Sequence, residues 1–146
     1  MIYRLKITAV FPKDFMRVVE IKASQTLYTL HEHLQNDLGY APDQMVVFRT
    51  LNEKGKAKKQ YGLFDMGDGS IDTLTLAELK RRNELNIQYV FDLHNDRFLK
   101  IEFTGEDEAS PRKAYPLTAD EKGLPPDQFD ARLLAEDPLI DDDDDE

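Results

Sequence analysis

The groups in this chain that could do chemistry are few. Its three histidines are His31, His33 and His94. His94 stands between Asp92 and Asp96, where two carboxylates and an imidazole could collect a cation or exchange a proton. The same run, His94-Asn95-Asp96-Arg97 between two apolar stretches, is equally what a solvated hairpin tip looks like. His31 and His33 are two positions apart, so on a helix they point about 200° from each other and cannot share a metal. His33 and Asp37 do share a helical face, a spacing commoner in surface pairs than in two-ligand sites.

The segment GLFDMGDGSID, residues 62–72, invites comparison with a calcium loop. With Gly69 as the obligatory sixth residue, positions one, three and twelve are Phe64, Met66 and Thr75. With Gly67 they are Gly62, Phe64 and Thr73. Neither register supplies a carboxylate where calcium needs one. Asp65, Asp68 and Asp72 therefore read as turn and helix-entry residues. No dinucleotide, P-loop, nucleophile-elbow or zincin motif occurs, and Ser24, Ser70 and Ser110 occupy loop or cap positions. The chain has no cysteine, which removes thiolate nucleophiles, Cys-based zinc sites and disulfides.

Positive charge clusters twice. Lys54, Lys56, Lys58 and Lys59 crowd the stretch NEKGKAKKQ, read as a loop, and Lys80, Arg81 and Arg82 close a helix. Contact with a polyanion is one reading of the lysines, but Tyr61 is the only aromatic beside them and stacking partners are otherwise missing. Cations at a helix C-terminus complement its dipole in any case.

The elements that position these groups follow from periodicity. Tyr3, Leu5, Ile7 and Ala9 alternate with Arg4, Lys6 and Thr8 as in a half-buried strand. Pro12, Lys13 and Asp14 make a turn. Phe15, Val19 and Ile21 share one face of a second strand, with Arg17 the polar exception on it. Leu27, Leu30, Leu34 and Leu38 recur as one helical face, with Ser24 or Thr26 as cap and Gly39 as stop. Met45 to Leu51 form a third strand. Thr75 and Glu78 predict a capping box, stapled by Leu74 and Leu79, for a second helix of about three turns fading at Asn83. Ile87, Tyr89, Phe91 and Leu93, then Leu99, Ile101 and Phe103, alternate as the arms of a hairpin. A short helix over Asp127 to Ala135, stopped by Pro138, completes the reading.

These elements predict a single-domain α+β fold in β-β-α-β-α-β-β order, with an antiparallel or mixed sheet and two amphipathic helices on one face. The opening strand–strand–helix–strand order also resembles ubiquitin-like β-grasp domains, a likeness of topology that carries no function. The expected α+β domain spans residues 1–116. Residues 117–146 are expected to be an acidic, largely irregular and disordered tail. Residues 1–104 hold 15 Lys plus Arg against 14 Asp plus Glu, whereas residues 105–146 hold 4 against 15, so the whole net charge of −10 arises at the C-terminal end. A block such as DDDDDE repels itself and reads as a solvated tail, or as one that screens a basic surface. The opening MIYRLKITAV goes straight into apolar alternation, unlike a secretory leader. No apolar run approaches the roughly 20 residues that span a bilayer. A cytoplasmic protein without a membrane partner is expected.

With the segments placed, a family resemblance emerges. YRLKITAVFPKDFMRVVEI resembles the opening hairpin of the plasmid-pRiA ORF-three-like family, with Arg17 where that family commonly has Arg and Phe15 where Trp is common. TLYTLHEHLQNDLGY is similar to its first helix on Leu27, Leu30, His31, Gln35, Gly39 and Tyr40. VVFRT follows, and LTLAELKRRNELNIQYVFDLHNDRF resembles its second helix and the Tyr-x-Tyr-Asp-Phe-Gly-Asp-x-Trp segment. Here that segment lacks the Gly and the Trp. The His that often precedes the third strand is replaced by Gln44 and Met45, and the acidic tail stands in place of a segment containing Cys and Gly. The resemblance covers roughly residues 2–104 and implies an α+β single domain. Some members carry a transposon-passenger, TnpR-like label, and the family has no reaction to carry over.

The sequence thus predicts a non-enzymatic binding or accessory module, without cofactor, metal or catalytic set, whose partner is a protein. A nucleic-acid-associated protein with a masking tail is the alternative, and a metal-dependent hydrolase at Asp92, His94 and Asp96 the third. Arg17, His31, Asp92, His94, Asp96 and Arg97 form the candidate functional surface. Lys54, Lys56, Lys58 and Lys59 are the candidate polyanion contacts.

Overall fold

The alternation of the first 22 residues becomes a hairpin in the computed structural model, which describes residues 1–42, 44–65 and 67–129. β1 (Ile2–Ala9) and β2 (Met16–Lys22) pair antiparallel, Leu5 opposite Val19 and Ile7 opposite Arg17. α1 (Leu27–Leu38) begins where Thr26 Oγ1 accepts from the Thr29 amide at 3.2 Å. It ends at Gly39, whose φ of 70° is the left-handed value that glycine adopts most easily. The Tyr40 amide then reaches back to Gln35 O at 2.9 Å, the outer bond of a Schellman turn.

β3 (Val47–Leu51) continues directly into β4 (Ala57–Tyr61), so the lysine-rich stretch read as a loop is the turn and return strand of a second hairpin. Asn52 makes that turn. Its Oδ1 accepts from the amides of Lys54 and Lys56, and its own amide donates to Lys56 O. A strand of Ala, Lys and Gln has no apolar period to reveal it, but lysine is a usual guard on a sheet edge.

α2 (Leu76–Arg81) spans six residues, shorter than its sequence suggested. Asn83 turns left-handed at φ 58°, and the Glu84 amide closes back onto Leu79 O at 2.8 Å. Only half of the capping box forms. Thr75 Oγ1 accepts from the Glu78 amide, while the Glu78 carboxylate turns instead to Arg81 and Arg82. The starts of the two helices are stitched together through Leu27 N to Leu74 O and Leu76 N to Gln25 O. β5 (Asn86–Asp92) and β6 (Arg97–Asp107) form the third hairpin.

A seventh strand corrects the expected boundary at residue 116. β7 (Leu117–Lys122) pairs with β2 and belongs to the sheet, so the fold continues beyond the residues read as irregular tail. Its sequence LTADEK has little to bury and no clear alternation. The pairing is dictated by the open edge of β2. The sheet is antiparallel throughout, in the order β4-β3-β5-β6-β1-β2-β7. The predicted helix over Asp127 to Ala135 lies mostly outside the described residues, as does the final acidic run.

Both helices share one core with one face of the sheet. Leu27, Leu30, Leu34, Leu38, Leu76 and Leu79 meet Leu5, Ile7, Val19, Ile21, Phe48, Ile87, Tyr89, Leu99 and Ile101. Each such burial stabilises by roughly 1.5–3 kcal/mol against the entropy of ordering the chain. The opposite face carries Thr8, Gln88 and Lys100 side by side. No helix among the described residues is long and apolar enough to cross a membrane.

Candidate functional site

The residues singled out from the sequence separate to opposite ends of the sheet. One end holds the turns before β2 and β6 and the chain leaving β7. The other holds the turn between β3 and β4 and the exit of α2.

At the first end, Arg17 is not on the surface. Its place on the inward face of β2 leaves it 5% exposed. There Nη1 donates to Met16 O, Lys122 O and Gly123 O at 2.9–3.1 Å. Nε lies 3.5 Å from Asp37 Oδ2 on α1, and the guanidinium sits over the Phe15 ring. The chain beyond β7 departs tightly, since a Cβ on Gly123 (φ 69°) would lie 2.8 Å from Asp14 O. Residues 123–128 then cross this end as a strap, and Arg97 receives them. Its Nη1 and Nη2 donate to Asp127 O at 2.8 Å and Gln128 O at 2.7 Å. Tyr40 Oη donates to Pro126 O at 2.5 Å. Gln128 and Ala41 exchange two hydrogen bonds, side chain to backbone. A hollow of about 450 Å³ lies between the strap and the end of α1.

The hairpin tip does not gather as an acid–base set. Burial works to raise the Asp92 carboxyl, but hydrogen bonds from Asn95 and from Arg97 Nε (2.9 Å) outweigh it and hold the group below the usual carboxylate range. Asp96 is engaged by Arg49 Nη2 at 2.5 Å, while His94 is exposed to solvent. Among the described residues no three His, Asp or Glu side chains converge as a metal site would require.

His31 is a core residue, 6% exposed, because it falls on the helical face of Leu27 and Leu34. Its Nδ1 lies 2.8 Å from Tyr89 Oη. Burial pushes the imidazole down, with Glu32 opposing, and pushes the Tyr89 hydroxyl up. His33 points instead to β7, its Nε2 2.8 Å from Thr118 Oγ1.

The lysines at the other end divide into two kinds. Lys58 and Lys59 lie on β4, at 3.4 and 4.0 Å from the carboxylate of Glu84, which is 1% exposed. Tyr61 Oη donates to the same carboxylate at 2.7 Å. Burial, then the bond to Glu84, pushes the tyrosine up to about 12. Glu84 was not legible from the sequence, because the only sign of it is a carboxylate following the left-handed Asn83. Lys54 and Lys56, in the turn, are exposed, and among the described residues neither reaches a carboxylate.

Beside this turn lies an open cleft of about 750 Å³. Leu51, Leu85 and Phe103 supply its apolar lining. Asn52, Asn83 and Asn86 supply amides, and Lys54, Lys58 and Lys100 face Glu53 and Glu102 around it. Lys100 and the asparagines carry no sequence signal, since they meet only when three chain segments converge. Such a surface, with apolar side chains, amides and both signs of charge, can hold an extended segment, and Lys100 already lies 3.8 Å from Glu102 within it.

A single antiparallel sheet with two helices on one face and an arginine-held strap defines the class of fold. The chain belongs to the family of plasmid pRiA4b ORF-3-like proteins, whose match covers residues 1–131. The match extends past the resemblance read from residues 2–104 and takes in β7 and the strap. Among solved structures, a protein of unknown function, MM3350 from Methanosarcina mazei Go1, is similar in fold. The TM-score is 0.67 at 16% identity, over 82% of this chain and 68% of that one. No curated protein matches the chain.

Proposed function

We propose that this protein is a non-catalytic binding or accessory module that takes a segment of a partner protein into the cleft beside β4. The observation that carries this reading is the cleft itself, lined by Leu51, Leu85 and Phe103, by asparagine amides, and by lysines set among Glu53 and Glu102, with Lys58 reaching it from β4, the outermost strand on that side of the sheet. A terminal strand can accept an extended segment where its backbone is not already engaged, and flanking side chains then select its sequence. The nucleic-acid alternative has less support. Lys58 and Lys59 are partly neutralised by Glu84, and Tyr61 is fully buried, so no aromatic platform accompanies the lysines.

Selection of a random peptide library on the immobilised full chain tests the proposal. Peptides rich in acidic and apolar residues should be enriched, and their binding lost in Lys54→Glu/Lys100→Glu, two exposed positions. Absence of enrichment, or binding indifferent to that variant, contradicts it. Binding of duplex or single-stranded DNA near 50 mM salt, with a steep salt dependence lost when Lys54, Lys56, Lys58 and Lys59 are neutralised, would replace it with the nucleic-acid reading.

A further inference from the structure

We propose that the strap end is a pairing surface for a second copy of this chain, which meets it about a two-fold axis. This surface lies at the end of the sheet opposite the cleft and is independent of it. It carries an apolar rim. Of the ten large apolar side chains that the described residues leave exposed, six stand at this end: Val10, Phe11, Met45, Leu93, Leu124 and Phe129. They come from separate turns that the sheet gathers. Val10 and Phe11 follow Ala9, which pairs with Leu99 on β6. Leu93 opens the turn of the β5–β6 hairpin, and Met45 leads into β3 beside β5. Leu124 follows Gly123, which packs against Asp14, and Phe129 follows Gln128, which is bonded to Ala41.

Turns are ordinarily polar, because an apolar side chain there gains nothing from the core. Here the strap is held by its backbone carbonyls and by the buried Pro126. Its two large apolar side chains, Leu124 and Phe129, are left in solvent, Leu124 at 80% exposure. In the first turn Phe11 is 72% exposed, whereas Phe15, four residues on, is buried. The arginines that fix the strap also fix the rim, so little order has to be imposed when it meets a partner. At those exposures the six side chains offer on the order of 600 Å² per copy, close to the roughly 800 Å² that each partner of a stable interface buries.

Charge selects the partner. Arg17 is already matched to Asp37 and Glu121, Arg49 to Asp96, and Arg97 to Asp92. His94 is exposed in its turn. Lys13 and Lys122, against Asp14 and Asp127, are also exposed, and among the described residues none of these four makes an ion pair. Two charges of each sign around one apolar rim can complement themselves under two-fold rotation, where the same surface is met reversed. An anionic bilayer would meet as many acids as bases. With the rims together the two clefts face away from each other, and both stay open to partners.

Sedimentation equilibrium of the full chain tests the pairing. A dimer should form with a dissociation constant in the micromolar range. Leu124→Ser/Phe129→Ser changes two exposed positions on the strap and should raise that constant at least about tenfold, with the amide spectrum of the sheet retained. Val10→Ser, in the first turn, should weaken the dimer without touching the strap. The chain has no cysteine, so a nitroxide on His94→Cys in unlabelled chain can be mixed with isotope-labelled chain. The amides of residues 10–14, 93–96 and 123–128 in the labelled copy should broaden. A monomer at millimolar concentration, a dimer that both variants leave intact, or broadening confined to residues 52–58 overturns the proposal. So does flotation of a monomeric chain with anionic phospholipid vesicles that is lost in Leu124→Ser/Phe129→Ser, which would make the rim a membrane surface.

Discussion

Both ends of this sheet concentrate positive charge, and they treat it in opposite ways. At the strap end, Arg17 and Arg97 direct their guanidinium groups to the chain's own backbone, where they hold residues 122–128. At the hairpin end, Lys54 and Lys56 project from a turn built by Asn52 without a carboxylate partner among the described residues. The planar fork of arginine suits fixed acceptors, whereas lysine is a flexible, strongly hydrated point charge. Charge that is buried and bonded maintains a fold. Charge that is exposed beside a cleft is available to a partner.

Stability measurements can break this comparison. The largest effect is expected in the core that joins the two ends: Leu34→Ala should cost roughly 2–5 kcal/mol in a urea melt. A cost under about 0.5 kcal/mol would mean that α1 does not pack as described. Arg17→Met comes next, at about 3 kcal/mol, because it leaves the carbonyls of Lys122 and Gly123 and the Asp37 carboxylate without their cation. Lys54→Gln/Lys56→Gln at the other end should stay within about 0.5 kcal/mol. Equal costs at the two ends would erase the distinction.

A smaller effect should follow pH. Burial holds both His31 and His33 below their ordinary value of 6.5, against the opposing charges of Glu32 and Asp37. The unfolded chain therefore binds more protons than the folded one in the window beneath 6.5. Stability should be fully present above that pH and decline as pH falls through the lower folded-state values. His31→Gln should flatten the decline. A melting temperature that rises on acidification through this window would contradict the burial of both rings.

The sequence showed most where apolar residues recur. The face of Leu27, Leu30, Leu34 and Leu38, the alternation of β1, and the arms of the β5–β6 hairpin are all present as expected. It was silent where pairing is driven by a neighbour's open edge. β4 (AKKQY) and β7 (LTADEK) show no apolar alternation, and only their hydrogen-bonding partners make them strands. The site followed the same division. Arg17 was recognisable as a polar residue on an apolar face, but its acceptors lie about a hundred positions away in sequence. His31 and Arg17 were read as surface residues because their types suggest chemistry, and burial assigns both to structure. The cleft was invisible, since Leu51, Asn83 and Lys100 become neighbours only after three hairpins and a helix are packed.

The central claim, that the hairpin end binds and the strap end holds, is tested most directly by mapping one bound peptide on the isotope-labelled full chain. A library-selected peptide should shift the amides of residues 52–58, 83–86 and 100–103 and leave residues 93–97 and 123–128 unmoved. Shifts confined to the strap end, with the lysine hairpin unaffected, would contradict it.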